Sequence, residues 1–236
     1  MPGYSTILGL HLAAGVVALV TFWLNGAMRK GGALHRRIGQ AYLCAMLAIM
    51  LSGLPLVAQR ILDGRTVAAA FLAYLLVLTG TASWSMWRAV RDRAAPARYT
   101  GRMYRALALL NMLSGAGVLA LGAAKGSPLL IGFSMVGLFA GRSMWRQRDT
   151  LTRAPMWWRT EHYNAVLANG VATHIAFLSI GLPKLLPGVA AGALSYAAWF
   201  GPLLVAGLAK LWLDRRYRPR SLVGAPGPVP GASRSA

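Results

Sequence analysis

The chain has 236 residues, 56% of them hydrophobic and 13% charged, with a mean hydropathy of +0.51. A water-soluble domain carries roughly a quarter charged residues, so this composition excludes an ordinary soluble domain and points to an integral membrane protein. The formal charge of +20 does not indicate nucleic acid, because the basic residues lie in separate connections and form no basic domain of their own.

Seven apolar segments follow one another, each bounded by charge, Pro or Gly. They are Tyr4–Asn25, Ile38–Ala58, Thr66–Trp87, Met103–Ala123, Pro128–Trp145, His162–Leu182 and Val189–Leu213. At ~1.5 Å per residue, a helix of each covers or nearly covers the ~30 Å hydrocarbon layer. The first, opening "MPGYSTILGLHLAAGVVALVTFWLN", has no basic residues ahead of its apolar run and reads as a retained span, not a signal peptide. The expected fold is an all-α polytopic membrane bundle of seven transmembrane helices. Residues 1–220 form its single domain, and a Pro/Gly/Ser/Ala-rich tail at 221–236 is expected to be disordered.

The basic residues set the orientation. The connections after spans one, three and five and the C-terminal tail hold 21 of the 25 Lys and Arg. Only Arg60, Arg65, Lys125 and Lys184 fall on the other side. The richer side belongs in the cytoplasm, which places the N-terminus outside and the C-terminus inside. Anionic lipid is the expected partner at the cytoplasmic face, with Arg36 and Arg37 suited to lipid phosphate. Trp87, Trp145, Trp157, Trp158 and Trp212 fall at that boundary as an aromatic belt. Cys44, the sole cysteine, excludes a disulfide framework and a thiolate metal cluster and reads as a small buried core residue.

Topology sorts the four histidines by depth. His11 and His174 lie in the outer half, at similar distances from the outer ends of spans one and six. His35 and His162 stand at the cytoplasmic starts of spans two and six. On span six, at 100° per residue, His162, Asn169, Thr173, Gly170 and His174 occupy one arc of ~140°, and lipid would leave such groups unpaired, so the arc faces the bundle interior. Asn164 falls on the opposite side, near enough to the cytoplasmic end to reach interfacial water. Gly15 is one turn from His11, and Gly170 one turn before His174. A small residue beside an imidazole lets a flat group approach the helix.

Three readings of this pattern stay open. In one, His11 and His174 are the axial ligands of a haem b, with Asn or Thr fixing the second ring nitrogen. A second haem on His35 and His162 would complete an electron path to a redox partner or quinone. The ~120° between His162 and His174 counts against two haems stacked on one helix. In another, the histidines titrate or bind a small solute within a transporter. In the last, they are satisfied interior polar groups of a structural membrane component with no chemistry.

Elsewhere, Gly31 and Gly32 allow the chain to reverse after span one, and Gly39 lets span two start close to a neighbour. Glu161 is suited to cap a helix N-terminus or pair with an arginine. Asn111, Ser114, Gly115 and Gly117 read as a packing seam. Nucleotide-binding glycine loops, serine-hydrolase elbows and HExxH motifs are absent, so any enzymatic role is that of a membrane oxidoreductase component.

The segments "HLAAGVVAL" (11–19), "RKGGALHRRIGQAY" (29–42) and "FLAYLLVLTG" (71–80) resemble a bacterial family of predicted membrane proteins catalogued as domain of unknown function 2306. The resemblance covers residues 7–90 best and carries His11 and His35 as signature positions. "WWRTEHYNAVLANG" resembles the family's later element in outline and adds His162. The family implies a membrane location and no established activity.

Overall fold

The computed structural model describes residues 2–181 and 193–217. Every regular element among them is helical: α1 (Pro2–Ala27), α2 (Ala33–Leu62), α3 (Thr66–Arg91), α4 (Pro96–Tyr99), α5 (Arg102–Lys125), α6 (Pro128–Gln147), α7 (Trp157–Ala176) and α8 (Ala193–Tyr217). A single 3₁₀ turn at Leu151–Arg153 precedes α7, and its far end loosens into a π-turn at Phe177–Gly181. The tail at 221–236 and residues 182–192 lie outside the described residues.

The helices end where the sequence supplies a reason. Gly31, at φ +80°, and Gly126, at φ +59°, take left-handed conformations that a side chain resists. Pro128 then opens α6 behind Ser127, whose hydroxyl accepts the Leu130 N–H at 3.5 Å. Helices α2 and α3 overrun their expected ends, because charged residues at a helix terminus extend it into the interface without breaking its hydrogen bonds. Pro55 and Pro202 lie inside α2 and α8. The short α4 was not foreseen.

Five helices are long and apolar enough to cross a membrane: α1, α2, α3, α5 with α4 leading into it, and α8. Helices α6 and α7, each of 20 residues, fall outside that group.

Antiparallel hairpins build the bundle. In the α1–α2 hairpin, Asn25 faces His35 and Gly39 at one end, and His11 meets Ser52 at the other. The α5–α6 hairpin closes on glycines: a Cβ on Gly141 would lie 2.5 Å from Ala108 O, and one on Gly115 3.1 Å from Ser134 O. Gly117, expected in the same seam, meets nothing within 4 Å. Helix α7 runs through the middle, against α1, α3 and α8.

Polarity is turned outside in. Asn111, Asn169 and Ser134 are wholly buried, while Leu62, Leu113, Phe139 and Leu204 are exposed over two thirds or more of their surface. In lipid, interhelical hydrogen bonds belong in the interior and apolar side chains on the outside. Two sequence expectations are corrected. Cys44 is exposed on that apolar outer surface and is not a core residue. Trp157 is buried and does not join an interfacial belt, because α4 and the start of α5 bring Tyr99 and Tyr104 against it.

Candidate functional site

Helix α7 supplies the inward wall that its sequence pattern indicates. Asn169, Gly170 and Thr173 are buried, and Ser83 of α3 donates to Asn169 Oδ1 at 3.3 Å. The Thr173 hydroxyl donates to Asn169 O at 2.9 Å and lies 3.9 Å from Met46 Sδ. Ile175, outside the polar arc, is buried too, against the Phe71 and Phe133 cluster. Asn164 is corrected. Its Oδ1 is enclosed without a partner instead of reaching interfacial water, because α7 is surrounded on several sides.

His174 is fully engaged. Its Nδ1 lies 2.7 Å from Gly170 O, and the Trp23 indole Nε1–H donates to its Nε2 at 3.0 Å. A carbonyl only accepts and an indole N–H only donates, so hydrogen bonding assigns the Nδ1–H neutral tautomer. The flat group that approaches Gly170 is the chain's own Phe22 ring: a Cβ on Gly170 would meet its Cζ at 2.5 Å. Gly15, its expected counterpart beside His11, has open space around it.

His11 turns to α2. Its Nδ1 is 2.9 Å from Ser52 Oγ, whose own hydrogen goes to Ala48 O at 2.6 Å, so His11 donates here. His11 and His174 therefore lie at different depths, contrary to the sequence expectation. Trp23, the partner of His174, is twelve residues from His11 on α1, or about 18 Å. On α2, Met46 beside Thr173 is six residues from Ser52, about 9 Å. The two helices carrying the histidines are offset along their axes, which residue counts from the helix ends did not reveal.

His35 and His162 do share the other end. His35 is close enough to feel the charge of His162, and both feel that of Lys30. His162 Nδ1–H donates to Met86 O at 3.0 Å. The Asn25 amide, in the orientation that satisfies all its neighbours, donates to His35 O at 3.0 Å and to Nδ1 at 3.2 Å, and accepts from Gly39 N–H at 3.0 Å. Lys30 Nζ caps α1 through Asn25 O and Gly26 O, at 2.6 and 2.7 Å.

These residues do not fit the expected haem ligands. An axial pair needs two ring nitrogens with free lone pairs converging on one iron. His11 and His174 are at different depths, and the Nε2 lone pair of His174 already receives Trp23. In the other pair, His35 accepts at Nδ1 and so presents Nε2–H, a donor. Among the described residues, no group of three or more His, Cys, Asp or Glu could hold a metal ion.

The partners that define the site were missed by sequence reasoning: Trp23, Ser52, Ser83, Tyr42 and Asn25. Each looks like an ordinary membrane-helix residue until another helix is placed beside it. Glu161 is corrected as well. It neither caps α7, which starts four residues earlier, nor pairs with arginine; it accepts the Tyr99 O–H at 2.7 Å. Burial, the largest influence, pushes its carboxyl above the usual carboxylate range, partly opposed by the Tyr99 hydrogen bond and the Lys210 charge.

Comparison with family models, curated proteins and solved structures found no match.

Proposed function

We propose that the chain is a multi-pass protein of the bacterial inner membrane, crossing it seven times with the N-terminus outside. Its interior histidine site, at the cytoplasmic end of the bundle, handles protons through His162 and His35. The apolar exterior supports the membrane location, and the 21 to 4 split of basic residues supports the orientation. Arginines at the basic end also sit over tryptophan rings, Arg91 on Trp87 at 5.0 Å, Arg148 on Trp145 at 4.6 Å and Arg216 on Trp212 at 5.2 Å, as suits residues at a lipid headgroup layer. The bacterial assignment rests on the family resemblance of residues 7–90.

The observation that carries the proton reading is the bond from His162 Nδ1–H to Met86 O. It fixes a proton on Nδ1, so in the neutral imidazole the lone pair is on Nε2, the nitrogen that can take up a proton. From there α7 leads directly to buried Asn169 and Thr173. His35 and Lys30 beside it make the uptake of charge at one group felt by the others.

Purified protein in liposomes loaded with a pH-sensitive dye tests the reading under an imposed pH gradient. Wild-type protein is expected to carry protons faster than empty liposomes, and His162→Gln to return the rate to the empty level. A wild-type rate equal to that of empty liposomes rejects it.

A further inference from the structure

Asn169 is wholly buried, and its amide Nδ2 has no hydrogen-bond partner. Leaving a buried N–H unmade is costly in a medium without water. Ser83 already donates to the amide oxygen, so turning the amide over would only move the deficit from nitrogen to oxygen. A second group nearby is also poorly served. The Thr173 hydrogen goes to Asn169 O, so the Tyr42 hydroxyl must be the donor in its contact with Thr173 Oγ1, which at 3.5 Å is at the limit of a hydrogen bond. Tyr42 is itself buried.

We propose that Asn169, Tyr42 and Thr173 hold a buried water molecule between α2 and α7. Such a water accepts from Asn169 Nδ2 and from Tyr42 O–H and donates to Thr173 Oγ1. That makes three bonds, the usual number for internal water. The residues packed around Tyr42 in the same cluster, Ala18, Ala45, Met46, Met86 and Ala165, offer no hydroxyl or amide side chain to compete for those bonds. The inference deepens the proton-handling reading, on which the role of the water rests though its geometry does not. It extends the polar path inward from His162 by a group that can both accept and pass a proton.

X-ray pulse labelling of the intact protein in lipid nanodiscs equilibrated with ¹⁸O-water tests it. Hydroxyl radicals formed from ordered water oxidise the side chains beside it, even where bulk solvent has no access. Met46 and Tyr42 are 1% and 3% exposed, and Tyr104, away from the site, is 1% exposed. Labelling with ¹⁸O is expected at Met46 and Tyr42 well above that at Tyr104. In Asn169→Leu, and separately in Tyr42→Phe read at Met46, it is expected to fall to the Tyr104 level. Wild-type Met46 and Tyr42 labelled no more than Tyr104 overturn the proposal without recourse to any variant, as does Met46 labelling unchanged in both variants. Labelling without proton flux in liposomes keeps the water site and rejects the transport role; flux without labelling does the reverse.

Discussion

The indole of Trp23, on α1, donates a hydrogen bond to His174, on α7, at 3.0 Å, and the two rings meet edge to face with centroids 5.5 Å apart. Trp23 is 62% exposed, so a residue at the rim of the bundle occupies the nitrogen that a cofactor would need. Phe22 completes the group, edge-on to both rings at 5.7 and 5.3 Å. The three rings pin α1 to α7 across the groove that Gly170 leaves open.

Replacing Trp23 by Phe keeps an aromatic ring but removes the donor. His174 Nε2 is then left without its partner, at an expected cost of about 1–3 kcal/mol. The loss is read as a lower thermal midpoint in detergent. Phe22→Leu, which removes only ring contact, is expected to cost less than the Trp23 change.

The α5–α6 interface predicts a contrast between two glycines. Gly141→Ala drives a Cβ to 2.5 Å from Ala108 O, a backbone atom that cannot swing away, and is expected to destabilise by about 1–3 kcal/mol. Gly117→Ala meets nothing within 4 Å and is expected to stabilise by about 0.5–1 kcal/mol through helix propensity. Equal midpoints for the two variants would mean that α6 does not pack on α5 in this register.

Glu161 lies one residue before the apolar segment that opens at His162, with its pKa raised chiefly by burial. Below the ordinary carboxylate range it is neutral whether the chain is folded or not. As pH rises through its elevated value, ionising it in the folded protein costs stability that the unfolded chain does not lose. Glu161→Gln keeps an acceptor for Tyr99 and removes the charge. The variant is expected to be more stable than wild type at neutral pH and above, with the difference vanishing in acid. Parallel stability curves across pH would contradict the assignment.

An absorbance spectrum after gentle detergent extraction checks the haem expectation directly. With His174 satisfied by Trp23 and Gly170, purified protein is expected to be colourless. A Soret band lost in the His11→Ala, His174→Ala double variant would reverse that reading and require the two helices to slide.

Cys44 offers a check on topology. Exposed on the apolar surface about a third of the way along α2, it is expected to resist a membrane-impermeant maleimide in intact cells, since the reagent needs a hydrated thiolate. Gly3→Cys in a Cys44→Ser background is expected to be labelled from outside.

Composition alone determined the helical class, because a backbone that cannot bond to lipid must close its hydrogen bonds within each segment, and Pro128 marked the start of α6 and Gly31 the reversal after α1. The inward face of α7 was also legible, since Asn169 and Thr173 leave no acceptable alternative to burial. Which imidazole meets which neighbour was not legible. A helix fixes angle and rise along its own axis but carries no information about how far a neighbour is displaced along that axis. Only tertiary packing put His174 beside Trp23 and left His11 on Ser52, whereas the order of the segments had already put His35 and His162 at one end. That sliding coordinate is set by the fit of side chains between helices, such as Phe22 against Gly170 and Ala108 against Gly141.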